Sequence, residues 1–112
     1  MDIVFRWGVM RIGNEVYEKD LIILPDAEVQ ENWRRESGHN LIPDDLPLDL
    51  GKSILVIGTG VEGKMLVPPE TISDLESRGY AVKVLKSFDA LEEYKNLRAE
   101  KKKVWLAIHL TC

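Results

Sequence analysis

The second half of the chain alternates strand-like and helix-like stretches, and this alternation constrains the fold more than any other feature. Residues 53–57 are a continuous apolar run rich in β-branched residues that ends at Gly58, which is typical of a strand covered on both faces. The patterns at residues 80–85 and 104–110 predict two further strands. Strands separated by helices need crossover connections, so we expect at least partly parallel pairing.

Two helices are predicted between these strands. The first begins at Pro68-Pro69 and ends before Gly79, with Ile72 and Leu75 facing inward. The second has a capping side chain at its start and an apolar side chain at every third position. Its residues are Ser87 or Asp89 for the cap, and Leu91, Tyr94 and Leu97 for the apolar face.

The first part of the chain has the pattern of a β-meander. Gly13-Asn14 separates apolar runs at residues 9–12 and 16–24, which indicates a hairpin, and residues 28–33 are expected to form a third strand. Residues 37–51 are rich in Pro, Asp and Gly, and they predict a long loop with at most a turn or two of helix.

Both halves together define the fold class as α/β. We expect a single compact three-layer domain over residues 1–112, with a mixed central sheet, helices on one face and an N-terminal antiparallel β-meander packed elsewhere. The length of 112 residues and the hydrophobic share of 45% agree with one globular core.

Composition excludes several classes of protein. The net charge of −4 argues against a nucleic-acid-binding surface, since affinity for phosphate backbones rests on clustered Lys and Arg. No apolar run approaches the roughly 20 residues that span a bilayer, and residues 1–7 do not resemble a secretory signal. The single cysteine, Cys112, cannot form an internal disulfide. We therefore expect a cytoplasmic domain with no membrane insertion and no nucleic-acid partner.

Residues 58–65, which read GTGVEGKM, match two nucleotide-binding patterns, GxGxxG and GxxxxGK. Both patterns need a helix at the last glycine, and the prolines at Pro68-Pro69 follow Gly63 too closely for one. The second pattern also needs Ser or Thr at the position of Met65 to hold magnesium. A connection that uses glycine for its backbone freedom explains the loop better, so no cofactor is predicted. An anion here would be held by backbone amides and Lys64.

His39, His109 and Cys112 are residue types that ligate transition metals or form thiolate pairs. They supply three ligands at most, and His109 and Cys112 point to opposite faces of an extended chain. No metal site is therefore predicted. In the alternative structural interpretation, His109 hydrogen-bonds a carbonyl or a carboxylate at the strand end, and Cys112 packs as a small buried apolar residue.

The run Trp33-Arg34-Arg35-Glu36 suggests another kind of site, because an aromatic ring followed by two guanidiniums can stack and clamp a carboxylate or phosphate. The alternative is a solvated strand end with a half-buried tryptophan. Ligands of open α/β sheets lie beyond the carboxyl ends of the strands, where the glycine loop begins. The candidate ligand-binding residues are Arg34, His39, Gly58, Gly60, His109 and Cys112.

Several segments in this order resemble the Mth-type domain family of largely uncharacterised proteins. They are ILVIGTG at 54–60, the Pro68-Pro69 helix start, GYAVKVL at 79–85, the 90–97 helix with YKNL, HLTC at 109–112, Trp7-Gly8, and the stretch from Trp33-Arg34 to Gly38-His39. The family includes a mitochondrial complex I assembly factor and an adipogenesis-associated cytoplasmic protein. The resemblance implies a three-layer fold around a mixed sheet and action through protein partners. The pair Gly63-Lys64 departs from the family's loop, which varies after its first two glycines.

Two functions remain open. The first is a non-enzymatic binding or assembly-factor domain that docks on a protein partner through the surface around the long loop; self-association into a homo-oligomer is compatible with it. The second is a small-molecule site for an anionic ligand, enzymatic or not, near the glycine loop, His39 and His109. The absence of a complete catalytic motif favours the first.

Overall fold

The computed structural model describes residues 2–35, 40–46 and 52–112. Within these ranges the chain forms eight strands and two helices. In chain order they are β1 (Ile3–Arg6), β2 (Val9–Ile12), β3 (Glu15–Tyr17), β4 (Leu21–Ile23), β5 (Val29–Gln30), β6 (Ser53–Gly58), α1 (Pro69–Ser77), β7 (Tyr80–Leu85), α2 (Ser87–Ala99) and β8 (Val104–Ile108). A 3-10 turn lies at Pro43–Asp45. None of the described helices is long and apolar enough to cross a membrane.

The strands form two sheets, and this confirms the predicted α/β class with a mixed central sheet and an N-terminal antiparallel meander. The central sheet has the order β5-β4-β8-β6-β7. Strand β6 runs parallel to both β7 and β8, whereas β4 pairs antiparallel with β5 and β8. The N-terminal sheet has the order β1-β2-β3, and its second hairpin turns at Gly13-Asn14 as predicted.

The two helices cover opposite faces of the central sheet, so the expectation of helices on one face is wrong. Alternate residues of β6 separate between two cores: Val56 packs with α2, whereas Leu55 and Ile57 pack with α1. The physical reason lies in the strand order. The chain crosses from β6 to the edge strand β7, and then returns past β6 to β8. Both crossover connections are expected to be right-handed. Because they run in opposite directions across the sheet, their helices lie on opposite faces.

The three layers follow from this arrangement. On one face, α2 and the N-terminal sheet share a core, to which the sheet contributes Ile3, Phe5 and Met10. On the other face, α1 packs beside Trp33 and Leu41, which belong to the connection between β5 and β6. Strand β8 is therefore covered on one face by α2 and the N-terminal sheet, and on the other by α1 and the connection between β5 and β6.

Several element boundaries differ from the prediction. The apolar run at 16–24 is divided between β3 and β4, because the polar residues 18–20 interrupt it. The third strand of the predicted meander is reduced to β5, which pairs with β4 in the central sheet rather than with the N-terminal sheet. Strand β8 ends at Ile108 instead of residue 110. Strand β1 was not predicted, since its four residues were considered only as a possible signal segment.

The helix starts also differ from the expectation. Helix α1 begins at Pro69, with Leu75 buried as predicted, but Thr71 is buried more deeply than Ile72. Neither Ser87 nor Asp89 caps α2, because the cap position is Lys86 and no side chain caps it. Ser87 instead uses its hydroxyl for a contact at the end of β8.

Candidate functional site

The antiparallel pairing of β4 with β8 determines where the site lies. Leu21 is the partner of Ile108 in this ladder, so the preceding Asp20 stands next to the following His109. The strand ends at this point and the side chains of Asp20 and His109 turn toward each other. Two residues that are 89 positions apart in the sequence therefore meet where β4 begins and β8 ends.

Asp20, Arg35 and His109 form a compact polar cluster. One carboxylate oxygen of Asp20, Oδ2, lies 2.7 Å from Nδ1 of His109 and 2.9 Å from Nη2 of Arg35. Its other oxygen, Oδ1, accepts the backbone N–H of Leu110 at 2.8 Å. The side chains of Asp20, Arg35 and His109 are only 14%, 6% and 9% exposed. Charged groups this deeply buried need partners of opposite charge and hydrogen bonds, and the cluster supplies both to Asp20.

Asp20 is held in its charged form. Burial by itself raises the pKa of the carboxyl group, but the hydrogen bonds from His109, the Leu110 amide and Arg35 outweigh it and leave the pKa below its ordinary value of 3.8. Because the carboxylate is ionised, it must receive a proton-bearing nitrogen from the imidazole. Nδ1 of His109 is therefore the N–H donor to Asp20.

Arg35 is fixed from its other side by an aromatic ring. Its guanidinium lies over the ring of Trp33, 4.7 Å from the ring centre. The indole Nε1 of Trp33 donates in turn to the carbonyl of Asp45 at 2.7 Å. The stacked clamp that the sequence suggested therefore exists, but it is formed by Arg35 and it holds the chain's own carboxylate, Asp20.

A cavity of about 300 Å³ lies beside the cluster. Its walls combine a hydroxyl, an amide, an imidazole and charges of both signs. The lining residues are Glu18, Lys19, Asp20, Asn32, Trp33, Arg34, His109 and Thr111. Nε2 of His109 lies 3.4 Å from the hydroxyl oxygen of Thr111 at this wall. We call this space the His109 cavity.

The glycine loop is filled by the chain itself. A Cβ atom on Gly60, whose φ is +107°, would collide with the carbonyl group of Cys112 and would lie 2.9 Å from Cδ2 of His109. The loop's amides are also in use: Val61 donates to the carbonyl of Thr111 at 2.7 Å and Lys64 to that of Cys112 at 3.0 Å. The loop therefore serves to pack residues 109–112, and its amides are not directed at a phosphate.

Ser87 connects the glycine loop to the end of β8. Its hydroxyl donates to the carbonyl of His109 at 2.5 Å and accepts the Gly60 N–H at 2.8 Å. Gly58 belongs to the same contact, since a Cβ there would lie 2.8 Å from Ile108 and 3.0 Å from the Ser87 hydroxyl. The first turn of α2 thus fixes the backbone that presents His109.

The structure unites some of the predicted site residues and separates others. His109 and Arg34 both line the His109 cavity. Gly58, Gly60 and Cys112 lie behind His109 as packing positions, and Cys112 is half-buried rather than fully buried as predicted. His39 lies outside the described residues. Among the residues that the structure describes, no three of the types His, Cys, Asp and Glu are placed to hold a metal ion.

Sequence reasoning missed several residues of the site, among them Lys19, Asp20 and Thr111, and it noted Arg35 without its role. A carboxylate partner for His109 was considered, but the sequence did not identify it. The available signal was the position of Asp20 directly before the apolar residues of β4. This position indicates a contact with His109 only when the pairing of β4 with β8 is known. The strand order supplies that pairing, and the order cannot be read from local patterns.

The fold and the site together define a class of protein. It is a small three-layer α/β domain with two sheets and two helices, and it has a buried polar cluster at the ends of two inner strands. Solved structures share this fold. A conserved hypothetical protein from Pyrococcus horikoshii, PH1505, is 26% identical with a TM-score of 0.82, and the match covers 100% of both chains. The protein MT938 is 24% identical, with a TM-score of 0.77 and coverage of 97% of this chain and 96% of that one.

A further relative carries the name of the fold. A Bordetella pertussis protein described as an Mth938-like domain is 17% identical with a TM-score of 0.66, and the match covers 96% of this chain and 83% of that one. Residues 4–109 match the family described as proteins of unknown function, DUF498/DUF598. This chain belongs to the DUF498/DUF598 family, and the resemblance to Mth-type domains is confirmed.

Proposed function

We propose that this domain is a non-enzymatic binding domain that acts through a protein partner and receives an acidic group of that partner in the His109 cavity. The observation that carries the proposal is the position of Arg34 and Lys19. Both are exposed residues in the lining of a cavity whose inner carboxylate, Asp20, is already paired with Arg35. The two outer cations are therefore available to attract a carboxylate from outside.

The shape of the surface favours a peptide segment over a lone ion. A second cavity of about 280 Å³ adjoins the first and shares Asn32, Trp33 and Arg34 with it. This second cavity is acidic, because Glu31, Asp44 and Asp45 line it. A segment that fits both cavities presents an acidic group to Arg34 and Lys19, and a basic group to the acids beyond.

Charge reversal at one position tests the proposal. We expect the immobilised wild-type domain to retain a stoichiometric partner from native extract, and the Arg34→Glu variant to lose it. The matched control is Arg6→Glu, because Arg6 is an exposed arginine on the N-terminal sheet, outside both cavities. Retention by the control and loss by Arg34→Glu supports the proposal. Equal capture by all three proteins, or capture of nothing, contradicts it.

A free anionic metabolite is the second candidate, and the volume of the His109 cavity favours it. The cavity's 300 Å³ lies at the lower end of the roughly 300–1,000 Å³ typical of small-molecule sites. A thermal-shift screen with metal ions, nucleotides and small carboxylic acids separates the two candidates. If a carboxylic acid stabilises the wild-type domain and not a variant at Arg34, the result supports the metabolite. If no compound changes the melting temperature, the protein partner is the remaining candidate. Cytoplasmic location and self-association stay predictions from the sequence.

A further inference from the structure

A chain of hydrogen bonds leads from the buried cluster to the wall of the His109 cavity. Arg35 donates to Asp20, and Nδ1–H of His109 donates to the same carboxylate oxygen. With Nδ1 as the donor, Nε2 of a neutral imidazole is an acceptor, and the hydroxyl of Thr111 lies 3.4 Å from it. In this state the hydroxyl proton of Thr111 points to the ring and its oxygen lone pairs face the cavity, which is the wrong polarity for a carboxylate.

One proton on His109 reverses this chain. In the imidazolium both ring nitrogens are donors, so Nε2–H donates to the oxygen of Thr111 and the Thr111 hydroxyl proton is released toward the cavity. The cavity wall then offers a hydrogen-bond donor where it had an acceptor. It also gains one positive charge, beside Arg34 and Lys19. Both changes favour an anion.

We propose that the His109 cavity binds its carboxylate together with one proton, which comes from water and is held on Nε2 of His109. This inference rests on the proposed recognition of an acidic group in the same cavity and adds its regulation. No covalent bond forms or breaks in the ligand. Thermodynamic linkage then requires the reverse effect as well: a bound carboxylate makes His109 easier to protonate by the same factor by which the proton strengthens binding.

Charged groups of both signs face His109. Asp20 faces Nδ1 and favours the charged ring, whereas Nη2 of Arg35, 3.4 Å from Nδ1, opposes it. Among the cavity's other charges, Lys19 and Arg34 are balanced in part by Glu18. The glycine loop and α2, which pack behind the ring and its carbonyl, contribute the uncharged Gly60 and Ser87. The titratable Cys112 directly follows Thr111 in the chain, and a carboxylate in the cavity adds a negative charge beside these residues.

The experiment uses acetate as the probe and acetamide as its uncharged control. Acetate is titrated into the full chain at about pH 6 and about pH 8. Ring-proton resonances of the two histidines follow binding, and a His39→Gln variant assigns which signal belongs to His109. We expect acetate to bind roughly fivefold or more tightly at the lower pH. We also expect acetate to move the midpoint of the His109 titration to higher pH, and acetamide to leave it in place.

Thr111→Val is the diagnostic variant, because it keeps the shape of a half-buried side chain and removes only the hydroxyl. It should bind acetate several-fold more weakly at about pH 6 and show a smaller difference between the two pH values. Thr111→Ser, which restores a hydroxyl, should recover both. Acetate binding that is equal at both pH values, with an unmoved His109 midpoint, overturns the proton-coupled inference and leaves the proposed function standing. Absence of acetate binding by the wild-type chain at either pH also overturns the proton-coupled inference, and the proposed function is then decided by the capture experiment with Arg34→Glu and Arg6→Glu.

Discussion

Asp20 is the residue on which the polar cluster depends. Its two oxygens together hold a guanidinium, an imidazole and a backbone amide, and these groups come from two segments of the chain far from Asp20 in sequence. The carboxylate thus neutralises Arg35, sets which nitrogen of His109 carries the proton, and fixes the backbone at Leu110. Removal of its charge should therefore affect stability and geometry together.

Asp20→Asn should destabilise the domain at neutral pH by about 3 kcal/mol, because it removes the charge of the Asp20 carboxylate from the buried Arg35 guanidinium. The pKa of Asp20 is lowered in the folded state, so its charge stabilises the fold above the ordinary value of 3.8, and this contribution is lost as pH falls through the lower folded value. Urea unfolding at neutral and acidic pH measures both effects. The gap between wild type and variant should narrow in acid.

The control for this substitution is Asp44→Asn, at an aspartate outside the cluster. It should change the free energy of unfolding by no more than about 0.5 kcal/mol. A gap between wild type and Asp20→Asn that stays constant from neutral to acidic pH would show that the Asp20 charge is not what stabilises the cluster.

The sequence indicated which types of side chain could form the site, but it did not determine which particular residues would do so. Trp33 followed by two arginines suggested a stacked carboxylate clamp beside the alternative of a solvated strand end, and Arg35 lies over Trp33 while it pairs with the chain's own Asp20. The sequence could not determine that Arg35 turns inward and Arg34 outward, because that choice depends on how residues 31–35 cross the end of β4. The close packing of Gly60 against Cys112 was equally inaccessible, since it depends on two segments that meet only in the folded chain.

Helix α2 contributes to the site through its first turn. Ser87 lies at the start of the helix, where serine commonly caps, yet its hydroxyl bridges the glycine loop and the carbonyl of His109. The start of the helix is thereby anchored to the end of β8, beside the His109 cavity. A side chain committed to this bridge leaves the helix without a side-chain cap.

Ser87→Ala should lower the free energy of unfolding by about 2 kcal/mol, because it leaves the Gly60 N–H without its acceptor in a buried contact. Ser73→Ala is the matched control, since Ser73 is an exposed serine within α1. It should stay within about 0.5 kcal/mol of wild type. Denaturant unfolding compares the three proteins, and equal stability of the two variants would mean that the Ser87 bridge is energetically neutral.

Elements with strong local signals were predicted well and their spatial arrangement was not. The apolar run of β6 and the proline start of α1 predicted those elements almost to the residue. The division of Leu55 and Val56 between two cores indicates a strand covered on both faces, as predicted. The faces on which the helices lie follow from strand order, a property of the assembled sheet that no local period encodes.

In the molecule as a whole, the inner strands β4, β6 and β8 of the central sheet are buried on both faces, whereas the second sheet is buried on one. Strand β8 is fully buried along its length, because a core lies on each side of it. The N-terminal sheet faces the α2 core with Phe5 and Met10, while its outer side leaves Val4 38% and Val16 58% exposed. Local stability should therefore differ between the two sheets.

Hydrogen exchange should separate the two sheets. We expect the amides of β8 to exchange on the order of tenfold or more slowly than those of β2, since β2 can open with the N-terminal sheet while β8 needs global unfolding. Exchange measured by mass spectrometry after proteolysis resolves the two strands. Equal protection in both would indicate that the two sheets unfold as one cooperative unit.

The pairing of Asp20 with His109 also has a consequence for the kinetics of folding. The two side chains are 89 positions apart, and Arg35 joins them from a third segment. Closing so long a loop costs more chain entropy than closing a hairpin, so we expect this contact to form after the local structure. A chain that has completed only its local structure has no His109 cavity. We therefore expect a ligand of that cavity to bind only chains in which this contact has formed, so that its binding during refolding would time that step.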